Sequence, residues 1–550
     1  MADWHSFHLF LHSDTEEVDR FLADELAPLL DQLVAEGRAD AWFFIRYGEG
    51  GPHLRVRVRG LQPAAAAELP ATLGRLSKAV PAVDGPWPSN HGEVRLMPYV
   101  PETDRYGGAA ALPEAEEVFT VSSRVAVLAL RRPQGGAGRL ALGVDLAHTT
   151  ALALGMDRLA AAQWLRRHAA SWRWVTEVPL LPGAAVHARV NSVFALQHDA
   201  LVQRAAALRA GLEQRTAEPW LLDWASRVGD SEVREPWVWA SQLHMLFNRL
   251  GITPDEERAI CRLAARTLLD AGEVPSFFPT GHRAPDRQYL ERSKFQAGRT
   301  QDSALRTLPP ADLAGSDQPL PGDLALPAGP LPARSLHQAF TARVSARGPL
   351  LGPLSAATLG TLLWSCHAES HRTEQRLPDG TTRTVAHRPY PSAGALYTAR
   401  LRLIALEVDG LPPGTYQCLP EQRALRPIGP APSVAELTAL SSYFSRPADD
   451  PDLVGIDQAP AVLGLYVDFG LLRRRYGLRA LRLGLLEAGH LAQTLLLGAT
   501  ALGLSSIPLA GFLDDLAHEL FSLDDLDQPL QYLLPLGSAS TVPVMGDLAD

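Results

Sequence analysis

Residues 41–59 read AWFFIRYGEGGPHLRVRVR. Ala41–Tyr47 is strand-like, and His53–Val58 alternates strictly, with arginine on one side and apolar residues on the other. The alternation puts Arg55, Arg57 and Arg59 on one face of a sheet, with Arg46 beside them on the neighbouring strand. Like charges side by side cost energy on a sheet. Such a face is either open to water, where it blocks edge-to-edge aggregation, or holds an anion. Working outward, Ser6–Leu11 is a third strand. Glu16–Glu36 is an amphipathic helix with Leu22, Leu26, Leu29, Leu30 and Leu33 on one side. Asp157–Arg173, Ala195–Gln214 and Trp237–Leu250 are helical. Strands early and helices later make an α+β domain.

Residues 309–332, PPADLAGSDQPLPGDLALPAGPLP, carry seven prolines and no aromatic. Proline fixes φ and removes a donor, so neither a helix nor a central strand is expected there. The stretch reads as a semi-extended linker or a surface wrap. It separates an N-terminal domain, residues 1–300, from a C-terminal domain, residues 335–550, with 301–334 as the linker. Beyond it come a helix at Ser355–Cys366, strands at Arg400–Glu407 and Ala461–Val467, and a long helix from Leu478 to Leu502. A short strand and turn follow at Ser505–Phe512. Two strands between long helices again give α+β.

The chain has 550 residues, 46% hydrophobic and 20% charged, which excludes a mostly disordered protein. A net charge of -10 argues against bulk nucleic-acid binding. Cys261, Cys366 and Cys418 stand apart with no CxxC pairing. That excludes a disulfide framework and a cysteine-rich zinc site. No metal is expected, and a reducing cytoplasm fits. The N-terminus has no basic region of a signal peptide. Leu491–Leu504, interrupted by Gln493, Thr494 and Thr500, is too short and polar to span a bilayer.

Two further N-terminal segments are chemically unusual. Tyr99–Gly108, YVPETDRYGG, sets Glu102 and Arg105 three residues apart before a glycine pair, which reads as a polar turn with a local ion pair. Ser241–Leu250, SQLHMLFNRL, puts His244, Met245 and Asn248 at helical spacing. A lone histidine on an apolar helix is more often a packed core residue than a catalyst. Together, FFIRYGEGGPHLRVR (43–57), YVPETDRYGG (99–108) and HMLFNRL (244–250) resemble the elimination domain of lantibiotic dehydratases, over roughly residues 1–280. The resemblance implies removal of the α-proton and expulsion of glutamate from a peptide glutamylated on Ser or Thr, leaving dehydroalanine or dehydrobutyrine. It implies that Arg57 and Arg105 bind glutamate and the enolate, with Arg55 in support. Arginine suits this because its fork matches carboxylates and stays charged. It implies proton transfer by His244, the residue of the set that titrates near neutrality. Glu102 stands where the family has an elimination glutamate, and the α-proton base is either His244 or Glu102. A separate protein is expected to load the glutamate.

In the second half, Arg343-Val-Ser-Ala-Arg347 offers Arg343, Ser345 and Arg347 as three donors on one side of an extended turn, a plausible phosphate grip. Arg388–Tyr397, RPYPSAGALY, has prolines that stiffen a loop and Gly394 to let a flat ligand approach. Leu485–Gln493 reads LLEAGHLAQ and is followed by ALGLSSIPLAGF. On residues alone, that is a tightly packed helix with small residues at its crossings. These pieces resemble the nitroreductase-like FMN family, specifically the azoline dehydrogenases of thiazole/oxazole-modified peptide pathways, over about residues 335–545. The resemblance implies an FMN-binding homodimer. Arg343, Ser345 and Arg347 match its phosphate positions, and Pro391, Ser392, Gly394, Leu509, Ala510 and Gly511 match its isoalloxazine surroundings. It also implies a Lys-Tyr pair, of which Tyr476 is present, while Arg475 stands in the lysine's place. Guanidinium is a poor base, so either Tyr476 acts with Arg475 beside it or another residue is the base.

The order of the halves resembles the fused elimination/azoline-dehydrogenase proteins of lactazole-type thiopeptide pathways. The fold expected is therefore α+β twice, an elimination-type domain followed by a nitroreductase-like FMN domain. The function expected is glutamate elimination plus azoline oxidation on a ribosomally made precursor peptide, alongside a glutamylating enzyme and a cyclodehydratase. The alternatives are an N-terminal half that only binds peptide or forms a pyridine by cycloaddition, and a C-terminal half that is a general nitroreductase.

Overall fold

The computed structural model describes residues 4–132, 136–270, 284–295, 318–376 and 380–539. The chain divides into two compact units, Met1–Leu181 with Ala185–Gly272, and Pro182–Ala184 with Glu273–Asp550. The division expected at residue 300 therefore falls earlier. The helix Pro285–Arg292 packs with the second unit, where the Tyr289 hydroxyl donates to the Leu478 carbonyl and accepts from the Arg482 N–H, each at 3.0 Å.

The first unit is built on an antiparallel sheet of β1 (Trp4–Phe10), β2 (Ala41–Tyr47), β3 (His53–Arg59) and β4 (Val94–Met97), in the order β2-β3-β1-β4. Phe7, Leu9, Trp42, Phe44, Leu54, Val56 and Val58 fill the core beneath the helices. Each such side chain contributes roughly 1.5–3 kcal/mol when buried, so a one-residue slip of register is strongly disfavoured. The arginines of β3 take the other face. Arg46 does not join them, because the register pairs Arg46 with Leu54, while Ile45 and Phe43 pair with Arg55 and Arg57. Arg46 points to the core side, where Asp19 and the Arg249 carbonyl hold its guanidinium.

The helix expected at 16–36 begins at Thr15, with Asp14 as its cap, and passes through a π-helical stretch, Phe21–Leu26. Arg158–Ser171 is capped by Asp157. Pro236–Arg249 and Pro254–Leu268 each start on a proline, whose missing N–H costs nothing there. A capping box of Thr253 and Glu256 fixes the second of them.

The second unit holds many more strands than the two expected between its helices and the short one at Ser505–Phe512. Its nine-stranded sheet runs Val454–Gly455, Gly348–Leu351, Leu530–Ala539, Ala461–Val467, Ala399–Ala405, Gly414–Leu419, Ala424–Gly429 and Leu324–Ala325, with Ser505–Ser506 on the side. Several of these strands are short or carry Gly and Pro, so alternation never marks them. Ala461–Val467 is buried throughout. Leu463, Leu465 and Val467 face one core with the long helix Ala480–Ala501, and Val462 and Tyr466 face another with Leu516 and Leu520. Small residues do sit at the crossings of the long helix. A Cβ at Gly484 would lie 2.5 Å from Phe469, and one at Gly498 2.5 Å from the Cys366 sulfur. Among the described residues no helix is long and apolar enough to cross a membrane.

Of the proline-rich stretch, residues 301–317 lie outside the described residues. The rest is a wrap that becomes an edge strand rather than a free linker. Leu324 and Ala325 pair with Leu425 and Ala424, and Asp323 takes both nitrogens of the Arg426 fork at 2.9 Å. The buried Leu326 accepts a bond from the Trp364 indole at 3.1 Å. Gly360 admits this wrap, since a Cβ there would lie 2.1 Å from the Pro327 carbonyl oxygen. Gly360→Ala is therefore expected to cost roughly 1–3 kcal/mol by overpacking and to expose residues 318–332 to protease. Limited proteolysis with a denaturant midpoint for the C-terminal unit checks it, and an unchanged cleavage pattern would refute it.

Candidate functional site

The open face of the first unit's sheet floors a cleft of about 1200 Å³, and Arg55, Arg57, Glu102, Arg105, His168 and His244 all reach it. All five N-terminal candidates thus lie on one cavity. Arg57 is 7% exposed, its guanidinium 4.8 Å from the Tyr99 ring and 5.4 Å from Phe43. Among the described residues its Nε has no partner, and burial lowers its pKa to about 10. Arg55 stacks 3.3 Å over Tyr47 and donates to His53 Nε2 at 3.2 Å. Glu102 and Arg105 form the expected ion pair at 3.1 Å, both about two-thirds exposed. A pair so exposed is worth at most about 1 kcal/mol and is easily traded for a substrate charge. Arg59 lies against Trp4 instead.

His244 does not stand alone on an apolar helix. Its Nδ1 is 2.8 Å from Glu257 Oε2, and Glu257 Oε1 is 2.6 Å from His168 Nε2. Burial on its own lowers the His244 pKa, but the Glu257 charge and hydrogen bond outweigh it and the net shift is upward. Burial disfavours the Glu257 carboxylate too, yet the two histidines hold its pKa low, at about 2. Trp172 packs edge-on against the His244 ring at 5.1 Å. Asn248, one turn further along, accepts from the Arg46 N–H at 2.8 Å and donates to the Arg46 carbonyl at 3.0 Å.

Sequence reasoning missed Glu257, His168 and Arg249. Arg249 is fully buried on the cleft wall, bonded to Ser123 Oγ and the Met245 carbonyl, with Nη2 unpartnered. Burial lowers its pKa to about 9. Arg249 lay inside the quoted HMLFNRL segment, so that segment was a signal for it.

In the second unit, the structure brings the RPYPSAGALY loop to Arg475 and Tyr476. Gly394 has φ +62, and a Cβ there would lie 2.5 Å from the Tyr476 hydroxyl and 3.4 Å from Arg475 Cζ. Arg475 Nε is buried without a partner among the described residues. Glu487, from the LLEAGHLAQ segment, fixes the loop from below. It is 1% exposed and accepts from the Ala399 N–H at 2.7 Å, Ser392 Oγ at 2.6 Å and Thr398 Oγ1 at 3.4 Å. Burial raises its pKa against the pull of those bonds. His490 Nδ1 lies 3.3 Å from the Pro391 carbonyl.

Arg343, Ser345 and Arg347 gather elsewhere. Their turn is tied to the strand Ser505–Ser506 by a bond from the Ala346 N–H to the Ser506 carbonyl at 3.0 Å. Leu509 then exchanges both backbone bonds with Leu533 at 2.9 Å, which sets Ala510 and Gly511 on the surface just beyond. Arg347 Nε is 3.6 Å from Asp452. Among the described residues no hydrogen bond or ion pair joins this group to the Ser392–Gly394 group.

Residues 4–268 match the family described as lantibiotic biosynthesis dehydratase C-term, and residues 353–538 match the nitroreductase family. A putative nitroreductase of Methanocaldococcus jannaschii is 28% identical over 204 residues, 37% of this chain and 90% of the relative. The microcin B17-processing protein McbC of Escherichia coli is 32% identical over 141 residues, 25% of this chain and 49% of McbC, about half that relative's length. Among solved structures, the pyridine synthase TbtD from thiomuracin biosynthesis is 20% identical, with a TM-score of 0.41, covering 49% of this chain and 98% of its own. The tRNA-dependent lantibiotic dehydratase MibB from Microbispora is 24% identical, with a TM-score of 0.34, covering 48% of this chain and 28% of its own.

Ser392 both donates to Glu487 and accepts from the Tyr397 N–H at 2.8 Å. Ser392→Ala is expected to destabilise the C-terminal unit by roughly 1–3 kcal/mol. A denaturant midpoint equal to wild type would show that the serine does not hold the loop.

Proposed function

From a chain that carries a lantibiotic dehydratase C-terminal domain followed by a nitroreductase domain, we propose a bifunctional enzyme that matures a ribosomally made peptide. The N-terminal unit eliminates glutamate from glutamylated Ser or Thr, giving dehydroalanine or dehydrobutyrine. The C-terminal unit oxidises thiazolines or oxazolines to the aromatic azoles. The observation that carries the first activity is the cleft holding Arg55, Arg57, Arg105 and His244 together.

Elimination develops negative charge on the substrate amide oxygen and on the departing carboxylate. Arg57 meets it from an aromatic pocket that excludes water, where a fixed cation acts far more strongly than in solution. Arg105, at the rim, exchanges Glu102 for a substrate carboxylate. Arg55, braced by Tyr47 and His53, adds a second fork. His244 handles the proton.

FMN is the cofactor this reading requires, and the residues fit it. Two arginines and a serine on an exposed turn form a donor set for a phosphate, and Gly394 presents bare backbone beside the Tyr476 hydroxyl. Arg343, Ser345 and Arg347 would hold the phosphate. Pro391, Ser392, Gly394, Leu509, Ala510 and Gly511 would surround the ring. When bound, the flavin supplies the acceptor for a hydride from the azoline. The protein's own part is to orient the ring substrate and accept its proton, at Tyr476 with Arg475 alongside. A second copy of the chain brings the two groups of flavin residues together. Exposed Leu478, Leu481, Leu485 and Leu486, with Leu336 and Phe340, are the apolar surface for it. The substrate comes from a glutamylating enzyme and a cyclodehydratase, and the cytoplasm is the compartment that keeps all three cysteines reduced.

The test is an absorbance spectrum of the purified protein and mass spectrometry of a peptide carrying thiazolines and a glutamylated serine. A flavin spectrum, loss of two hydrogens per ring and loss of glutamic acid at the serine are expected. Retained glutamate with oxidised rings would overturn the first activity, and a protein that neither contains nor takes up FMN would overturn the second. Arg57→Lys keeps the charge but loses the fork, and is expected to slow elimination on the order of 10²-fold while ring oxidation is unchanged. Equal elimination rates would remove Arg57 from the mechanism.

A further inference from the structure

A buried carboxylate shared by two histidines is the feature of the cleft that this function does not yet use. Glu257 is 1% exposed, and each of its oxygens meets one ring nitrogen, His244 Nδ1 at 2.8 Å and His168 Nε2 at 2.6 Å. An ionised carboxylate only accepts hydrogen bonds, so both ring nitrogens must carry protons. That fixes the His244 tautomer. Nδ1 holds the proton, and Nε2 keeps its lone pair, with no hydrogen-bond partner among the described residues. Trp172, edge-on at 5.1 Å, fixes the plane of the ring. Glu257 lies in the first turn of the helix Pro254–Leu268, where the helix dipole favours negative charge.

We propose that Glu257 and His168 are positioning residues for the elimination, holding His244 as the base that removes the α-proton through Nε2. This rests on the elimination reading above. Glu102, the other candidate, is 67% exposed, paired with Arg105, and has no third group among the described residues to orient it. In the step, Nε2 takes the α-proton and the C–H electron pair becomes the Cα–Cβ π bond. The Cβ–O bond breaks, and glutamate departs as a carboxylate with the Cβ–O bonding pair. The proton rests on His244, and the imidazolium is balanced by Glu257 until solvent takes the proton back.

The charges facing this trio come from several elements. Glu257 reaches His244 from the next helix, Arg105 from the turn Thr103–Tyr106, and Arg249 from the histidine's own helix. His168 faces Glu257 from the helix Arg158–Ser171, and Cys261 lies one turn beyond Glu257. The two arginines oppose the imidazolium and Glu257 favours it. Without the carboxylate charge, His244 protonates only at lower pH. It is then free over a wider range but is a weaker base.

Elimination rates across pH, for wild type, Glu257→Gln, Glu257→Asp and His168→Gln, test this. For Glu257→Gln the acidic limb is expected to move to lower pH and the plateau to fall on the order of 10²-fold. Glu257→Asp recovers part of the rate. His168→Gln, which keeps a donor but cannot titrate, loses less than Glu257→Gln. A rate loss with an unmoved limb, or no loss at all, overturns the proposal. Nitrogen NMR of the wild-type His244 ring reads the tautomer without turnover. A neutral ring, observed above the His244 pKa, whose proton sits on Nε2 overturns the proposal even if the variants fail to fold. A wild type with the expected tautomer and no elimination at any pH instead overturns the function it serves.

Discussion

A carboxylate taken out of water needs donors to fill its lone pairs, and each half of this protein is organised around a buried carboxylate that donors surround. Glu257 is enclosed by two histidines on two other helices, so three helices must be in place before its charge is balanced. Glu487 is enclosed by two backbone-adjacent hydroxyls and an amide of the Ser392–Ala399 segment. Removing one partner of such a group is far more costly than the pair is beneficial. The functional loops inherit their precision from this asymmetry, because any geometry that leaves the carboxylate unpaired is expensive.

The arginines obey the opposite arrangement. Arg57 and Arg249 are buried with nitrogens that no group among the described residues satisfies. Buried polar groups are normally bonded, so an orphan is a local cost held in place by the rest of the fold. Here two orphans share one cleft, walled by Tyr99, Phe43 and Phe119. A substrate anion would relieve both. The sheet supplies this at little cost in flexibility, since Arg57 stands on a central strand whose other face is the hydrophobic core.

Much of this was legible in the residues, for identifiable reasons. Period-two alternation made β3 and its arginine face visible, and the helices announced themselves by spacing and caps. Arg46 was misplaced because a strand pattern shows parity within a strand, whereas the pairing between strands depends on how the Gly48–Pro52 turn sets the register. Glu257 was invisible because DEERAICRL reads as an ordinary solvated helix start, and only the packing of three helices shows that one of its carboxylates is inside. In the second half, Gly414–Leu419 and Ala424–Gly429 are too short and mixed to show a period, so a nine-stranded sheet looked like two strands. The 318–334 wrap was one of two readings that the prolines left open, since they suit an edge strand as well as a linker.

The Asn248 amide has a consequence for how this sheet meets other chains. By accepting from the Arg46 N–H and donating to its carbonyl, it imitates one residue of an adjoining strand. Ser123 caps the Phe44 N–H on the same border. The outer rim of β2 is thereby capped at Phe44 and Arg46, and β4 is the sheet's other border. The helix that carries His244 thus also occupies the backbone groups that β2 would otherwise offer to another chain at Arg46.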